Sequence, residues 1–208
     1  LACALTVALW FIPVASFALY PLRLFVTFIH EGSHALMATL TGGLAERIVV
    51  QPDASGYTLT AGGWPILIVM AGYLGATAYG ALMLTLARRP GTARVILGIS
   101  GVLIALLDLL LVRNGFGLGW GIAIAAGLLA AKAAELTAMF LGVQCVVNAL
   151  YDLKTLVGLS VYGGPVSDAV LMSRIIPLPP AVWAVLWCGL ALAILGAALR
   201  PYWRDATK

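Results

Sequence analysis

The chain has 208 residues, of which 62% are hydrophobic and only 10% charged, against about 25% charged in an average soluble domain. Together with a mean hydropathy of +1.05, this excludes a soluble single-domain enzyme and a disordered chain, because nearly every window between the short polar breaks is apolar enough to span lipid. The three cysteines (Cys3, Cys145, Cys188) are scattered and make no disulfide framework, and the twelve Lys and Arg, for a net charge of +4, form no stripe that would bind nucleic acid.

Residues 2–20 are apolar and uncharged, contain Pro13, and read as a span rather than a cleavable signal peptide. Residues 22–41 form a second apolar run introduced by Pro21, a residue suited to a first helical turn. One helix over both runs would be about 60 Å long against about 30 Å of hydrocarbon, which leaves two spans or one sharply kinked, partly interfacial helix; two spans with a turn at Tyr20 and Pro21 are expected. Gly42 and Gly43 stop the second. Ile48 to Val50 are β-branched, Pro52 to Gly56 is turn chemistry, and Tyr57 to Thr60 are strand formers, so residues 46–61 read as a β-hairpin closed by Gly62 and Gly63. Unpaired backbone is costly in lipid, which puts the hairpin at the interface or among helices.

Further spans are expected at about 64–87, 93–112, 117–134, 135–153 and 180–199, separated by breaks that include Arg88, Arg113, Asn114 and Lys132. The expected fold is an all-α polytopic membrane protein, a single domain over 1–208, with a bundle of about six to seven transmembrane helices in the lipid bilayer. Small residues such as Gly72, Gly75, Ala76 and Gly80 allow close helix packing. Asp108 with Arg113, and Lys132 with Glu135, read as ion pairs between helices or at the interface. Trp64, Trp120, Trp183, Trp187 and Trp203 read as interfacial aromatic belts.

The only two histidines are four apart, in His30, Glu31, Gly32, Ser33, His34. On a helix, positions i and i+4 share a face, so both imidazoles reach one Zn²⁺ and Glu31 approaches its water as a general base. The alternative is a buried polar cluster that pins helices. Its cost in lipid favours the metal reading, because ionisable groups inside a span face a cavity or a partner.

These residues, with Tyr20, Pro21, Ala35, Leu40 to Gly43, Gly62, Gly63 and Ala71 to Gly75, and less closely with Asn148, Tyr151, Asp152 and Ser167 to Ala169, resemble the site-2-type intramembrane zinc metalloproteases of peptidase family M50, in its M50B-like branch. The resemblance covers about residues 20–190 and implies one zinc ion, no organic cofactor, and a transmembrane protein as substrate, cleaved in or near its membrane segment. It also implies a third ligand, an aspartate from a later helix. The family's Asp-Gly motif is absent, which leaves Asp152, preferred because it ends an apolar run and follows Asn148 by one helical turn, and Asp168 as the alternative. Otherwise Asp168 reads as an N-cap for residues 169–175. Gln144 and Asn148 are candidates to orient the site, face the substrate or stabilise an oxyanion, with interhelical hydrogen bonding as the commoner role of such residues, and the hairpin is placed by resemblance beside the substrate, which it would hold in extended form by strand addition. Two other classes share these residues: an inactive relative that binds membrane proteins without cutting them, and a metal or proton transporter, for which acidic and His groups outside this cluster are few. The Ala- and Gly-rich composition fits a multi-pass protein of a bacterial inner membrane.

Overall fold

The computed structural model of the chain describes residues 15–147 and 167–206. Their order is α1 (Ala15–Leu40), β1 (Leu44–Val50), β2 (Gly56–Ala61), α2 (Pro65–Leu86), α3 (Pro90–Leu111), α4 (Gly115–Ala130), α5 (Ala134–Val147), α6 (Asp168–Ile175) and α7 (Pro180–Ala206). Three of these helices, α2, α3 and the Pro180–Tyr202 part of α7, are long and apolar enough to cross a membrane, and α4 and α5 are shorter apolar helices. Large apolar side chains stay exposed along them, among them Leu103, Leu106, Leu109 and Leu110 on α3 and Val185, Leu186 and Leu190 on α7. In water such belts would be an aggregation surface; in lipid they are the outer face. The protein is a polytopic all-α membrane protein with one small antiparallel hairpin.

Residue 21 does not begin a helix. Pro21 lies inside α1, which runs unbroken from Ala15, so the expected turn at Tyr20 and Pro21 is absent. Pro21 withholds one amide from the carbonyl of Phe17, and the helix continues because its next residues are well buried: Leu24, Phe25, Val26 and Phe28 pack into the main core with Ile48, Val50, Met83, Leu97 and Ile104. Gly42, at φ +81°, ends α1 in the left-handed conformation that glycine adopts without strain. The chain then enters β1.

The hairpin pairs Ile48 with Thr58 and Val50 with Gly56, with a bulge between Ala45 and Arg47. Its far side is tied to the end of α3: Ile48 bridges Val112 in parallel, the Arg113 amide donates to the Ile48 carbonyl (3.1 Å), and Asn114 exchanges both of its amide bonds with the Val50 backbone (2.7 and 3.2 Å). Thus β1 is flanked on both sides, and β2 carries the open edge among the described residues. The bundle around it packs α1 on α2, α3 on α4, and α2 on α7, with α6 wedged against α2 and α7.

Two expected ion pairs do not form among the described residues. Asp108 is fully buried, packs where Gly121 leaves room, and has no partner there for either carboxylate oxygen. Arg113 instead donates to the carbonyls of Leu110 and Val112, since α3 ends at Leu111 and the extended backbone of Val112 carries Arg113 off the helical face that holds Asp108. Lys132 precedes the start of α5 at Ala134 and makes no ion pair with Glu135.

Candidate metal centre

The two histidines sit in the middle of α1 and project toward α2, where the absence of a side chain at Gly72 makes room for them. A Cβ there would clash with His30 Nε2 and His34 Nε2 and lie 2.6 Å from His30 Cε1. Into the same space α6 brings Asp168, whose Oδ2 is 2.9 Å from His30 Nε2 and 3.2 Å from His34 Nε2. The three ligand atoms lie within 4.8 Å of one another. Tetrahedral ligands at about 2.0–2.2 Å from zinc are about 3.3–3.6 Å apart, so the two carboxylate–imidazole distances need only a slight expansion to hold an ion.

The hydrogen bonding of His34 makes the case chemically. Its Nδ1–H donates to the Ile68 carbonyl at 2.6 Å, and because a carbonyl only accepts, the proton is assigned to Nδ1. In the neutral ring Nε2 is then a lone pair facing a carboxylate oxygen, an arrangement of two acceptors that a cation relieves. His30 Nδ1 is buried without a partner among the described residues. The His30 ring is braced instead by Tyr73, edge-on at 4.7 Å, and Tyr73 stacks on Trp187 at 5.1 Å. Sequence reasoning placed Trp187 in an interfacial belt; it is buried at 4% exposure. Nothing in the spacing of either ring marks it, because each contact joins different helices.

Glu31, next to His30 in the chain, lies between the histidine cluster and the hairpin. It is 4% exposed, and the Thr58 hydroxyl, which has one proton to give, lies 2.7 Å from Glu31 Oε2 and 3.0 Å from the Glu31 backbone carbonyl oxygen, the shorter contact being to the carboxylate. Thr58 is the described residue that sequence reasoning missed at Glu31. Its only sequence signal is its place on the inward face of a strand whose exposure alternates.

The remaining candidates divide. Asp168 meets the histidines and does not cap its helix: the cap is Ser167, whose side chain accepts from the Val170 amide, while Asp168 is the first helical residue. Asp152 and Asn148 lie outside the described residues. Gln144 is buried on α5 with Nε2 unpartnered among the described residues, and no hydrogen bond joins it to His30, Glu31, His34 or Asp168.

Comparison with known proteins adds one finding: residues 1–198 match the family described as Peptidase M50B-like. No curated protein and no solved structure matches the chain.

Proposed function

The chain belongs to the M50B-like peptidase family, and from that premise we propose that it is an intramembrane zinc endopeptidase that hydrolyses a peptide bond in or near the transmembrane segment of a membrane protein. The observation that carries the reading is the meeting of His30 and His34 with Asp168, a residue 138 positions beyond His30, at 2.9 and 3.2 Å.

His30, His34 and Asp168 would hold a zinc ion, which when bound would supply Lewis acidity and lower the pKa of water toward neutrality. The chain's own residues do the rest. Ile68 holds the His34 ring in the tautomer that leaves Nε2 free to ligate, and Tyr73 limits the tilt of His30. Glu31 accepts the proton of the attacking water and passes it to the leaving amide nitrogen, so that the amine departs neutral. The open edge of β2 offers backbone donors and acceptors to an extended segment, and a substrate helix must unwind to use them. Glycine or proline near the scissile bond is therefore expected to speed cleavage. A bacterial inner membrane is the proposed location.

Zinc per polypeptide, measured in detergent for the parent and for His30→Ala, Asp168→Asn and Asp152→Asn, tests the site. Near-stoichiometric zinc lost in His30→Ala and Asp168→Asn, but kept in Asp152→Asn, supports the reading. Loss in Asp152→Asn alone transfers the third-ligand role to Asp152. Cleavage of a membrane substrate in proteoliposomes then separates protease from inactive relative, with Glu31→Gln expected to retain zinc and lose about 10²- to 10⁴-fold in rate. Zinc flux across the same vesicles without cleavage would instead mean transport.

A further inference from the structure

The hairpin is fastened to α1 along its length. Tyr20 Oη donates to the Pro52 carbonyl (2.6 Å), Arg23 to that of Asp53 (3.2 Å), and Thr27 Oγ1 to that of Ala54 (2.6 Å). These three contacts hold the turn. The fourth lies deeper in the bundle and is different in kind, because it ends on the side chain of the candidate base. Thr58 Oγ1 is 2.7 Å from Glu31 Oε2, and two residues earlier on the same inward face Gly56 makes room for the carboxylate: a Cβ there would lie 3.0 Å from both Glu31 Cγ and Glu31 Oε1 and 2.9 Å from Thr27 Cγ2. One carboxylate oxygen is thus hydrogen-bonded by β2 and the other lies over the gap that Gly56 leaves.

The strand that does this is also the one with a free edge. With β1 tied to Val112 and Asn114, an extended peptide has β2 to pair with, and whatever shifts β2 shifts the seat of Glu31. We propose that Thr58 is a positioning residue, and that Gly56 and Thr58 together form a seat through which β2, the strand open to substrate, sets the orientation of the Glu31 carboxylate. The inference rests on reading Glu31 as the general base. A hydroxyl donating to a carboxylate fixes the rotamer and selects which lone pairs remain to meet a water. Among the described residues Thr58 is the hydrogen-bonding partner of the Glu31 side chain, and the rest of its confinement is packing in a buried position.

The test compares Thr58→Val, which keeps shape and strand preference but not the donor, with Thr58→Ser, which keeps the donor. For a cleavable membrane substrate, Thr58→Val should lower kcat about tenfold to a hundredfold, the range for a lost hydrogen bond to a charged group. KM should stay within about twofold and zinc at the parental stoichiometry. Thr58→Ser should recover most of the loss, and Gly56→Ala should reproduce it by crowding the carboxylate. An activity-independent readout is a thermal cycle: Thr58→Val should lower Tm more in the parent than in a Glu31→Ala background, because part of what it removes is already gone. Parental kcat in Thr58→Val, an effect on KM alone, no recovery in Thr58→Ser, or equal Tm shifts in both backgrounds would each overturn the proposal while leaving the protease reading in place. A parent that cleaves no better than Glu31→Gln would overturn the protease reading and this proposal with it.

Discussion

The close approach of α2 to the histidines makes Gly72→Ala a sharp test of the metal centre. A methyl group at residue 72 would clash with both Nε2 atoms and lie 2.6 Å from His30 Cε1. Carbon atoms in ordinary contact are about 3.5–4.0 Å apart, so the imidazole must retreat by about 0.9–1.4 Å. Metal–ligand distances tolerate about 0.2 Å. At least one histidine must therefore leave the ion, and zinc affinity should fall at least about 100-fold, the upper end of the loss seen when merely an orienting partner is removed. The assay is zinc stoichiometry and competition with a chromophoric chelator on detergent-purified protein whose helicity is checked by circular dichroism. Gly75→Ala is the comparator. It lies on the same pair of helices, where a Cβ would be 2.7 Å from Ser33 Cβ and would touch no ligand. It should cost about 1–3 kcal/mol of stability through overpacking and leave zinc affinity unchanged. Parental zinc affinity in Gly72→Ala, or equal losses in the two variants, would refute the placement of the ion between His30, His34 and Asp168.

Three other outcomes follow from the geometry. Asn114→Ala strips both bonds from the Val50 backbone and leaves buried groups unpaired, so thermal unfolding should show about 1–3 kcal/mol of destabilisation. Chelation of zinc by EDTA should lower Tm in the parent and leave the Tm of His30→Ala unmoved, because an ion that binds only the folded state stabilises only a protein able to bind it. The Asp53 carboxyl, outside the spans, is held below its ordinary value chiefly by the hydroxyl of Ser55 and by its amide (2.6 and 2.9 Å). Its folded value being depressed, its contribution to stability is present above the unfolded carboxylate range and is lost as pH falls through the folded value. Asp53→Asn should therefore have a slightly lower Tm than the parent at neutral pH, and the two should converge in acid.

The amino-acid sequence by itself determined what depends on local pattern. The apolar runs between short polar breaks announced a membrane bundle, because lipid admits little else. The β-branched and turn residues after Gly43 announced the hairpin, and the spacing of His30 and His34 put two imidazoles on one helical face, because i and i+4 are neighbours on any α-helix. Even so, local signals misled where a longer-range contact outweighed them: Pro21 marks a start in isolation, but burial of Leu24 to Phe28 carries the helix through it. Tertiary structure alone decided which described carboxylate meets the histidines. Asp168 stands 134 residues beyond His34, and its neighbours Ser167 and Ala169 describe only a helix start. The same holds for Gly72, Tyr73 and Thr58, each ordinary in its own segment. Their roles exist only because α2, α6 and β2 converge on α1, and the free energy of that convergence comes from packing among elements distant in the chain, which no local pattern records.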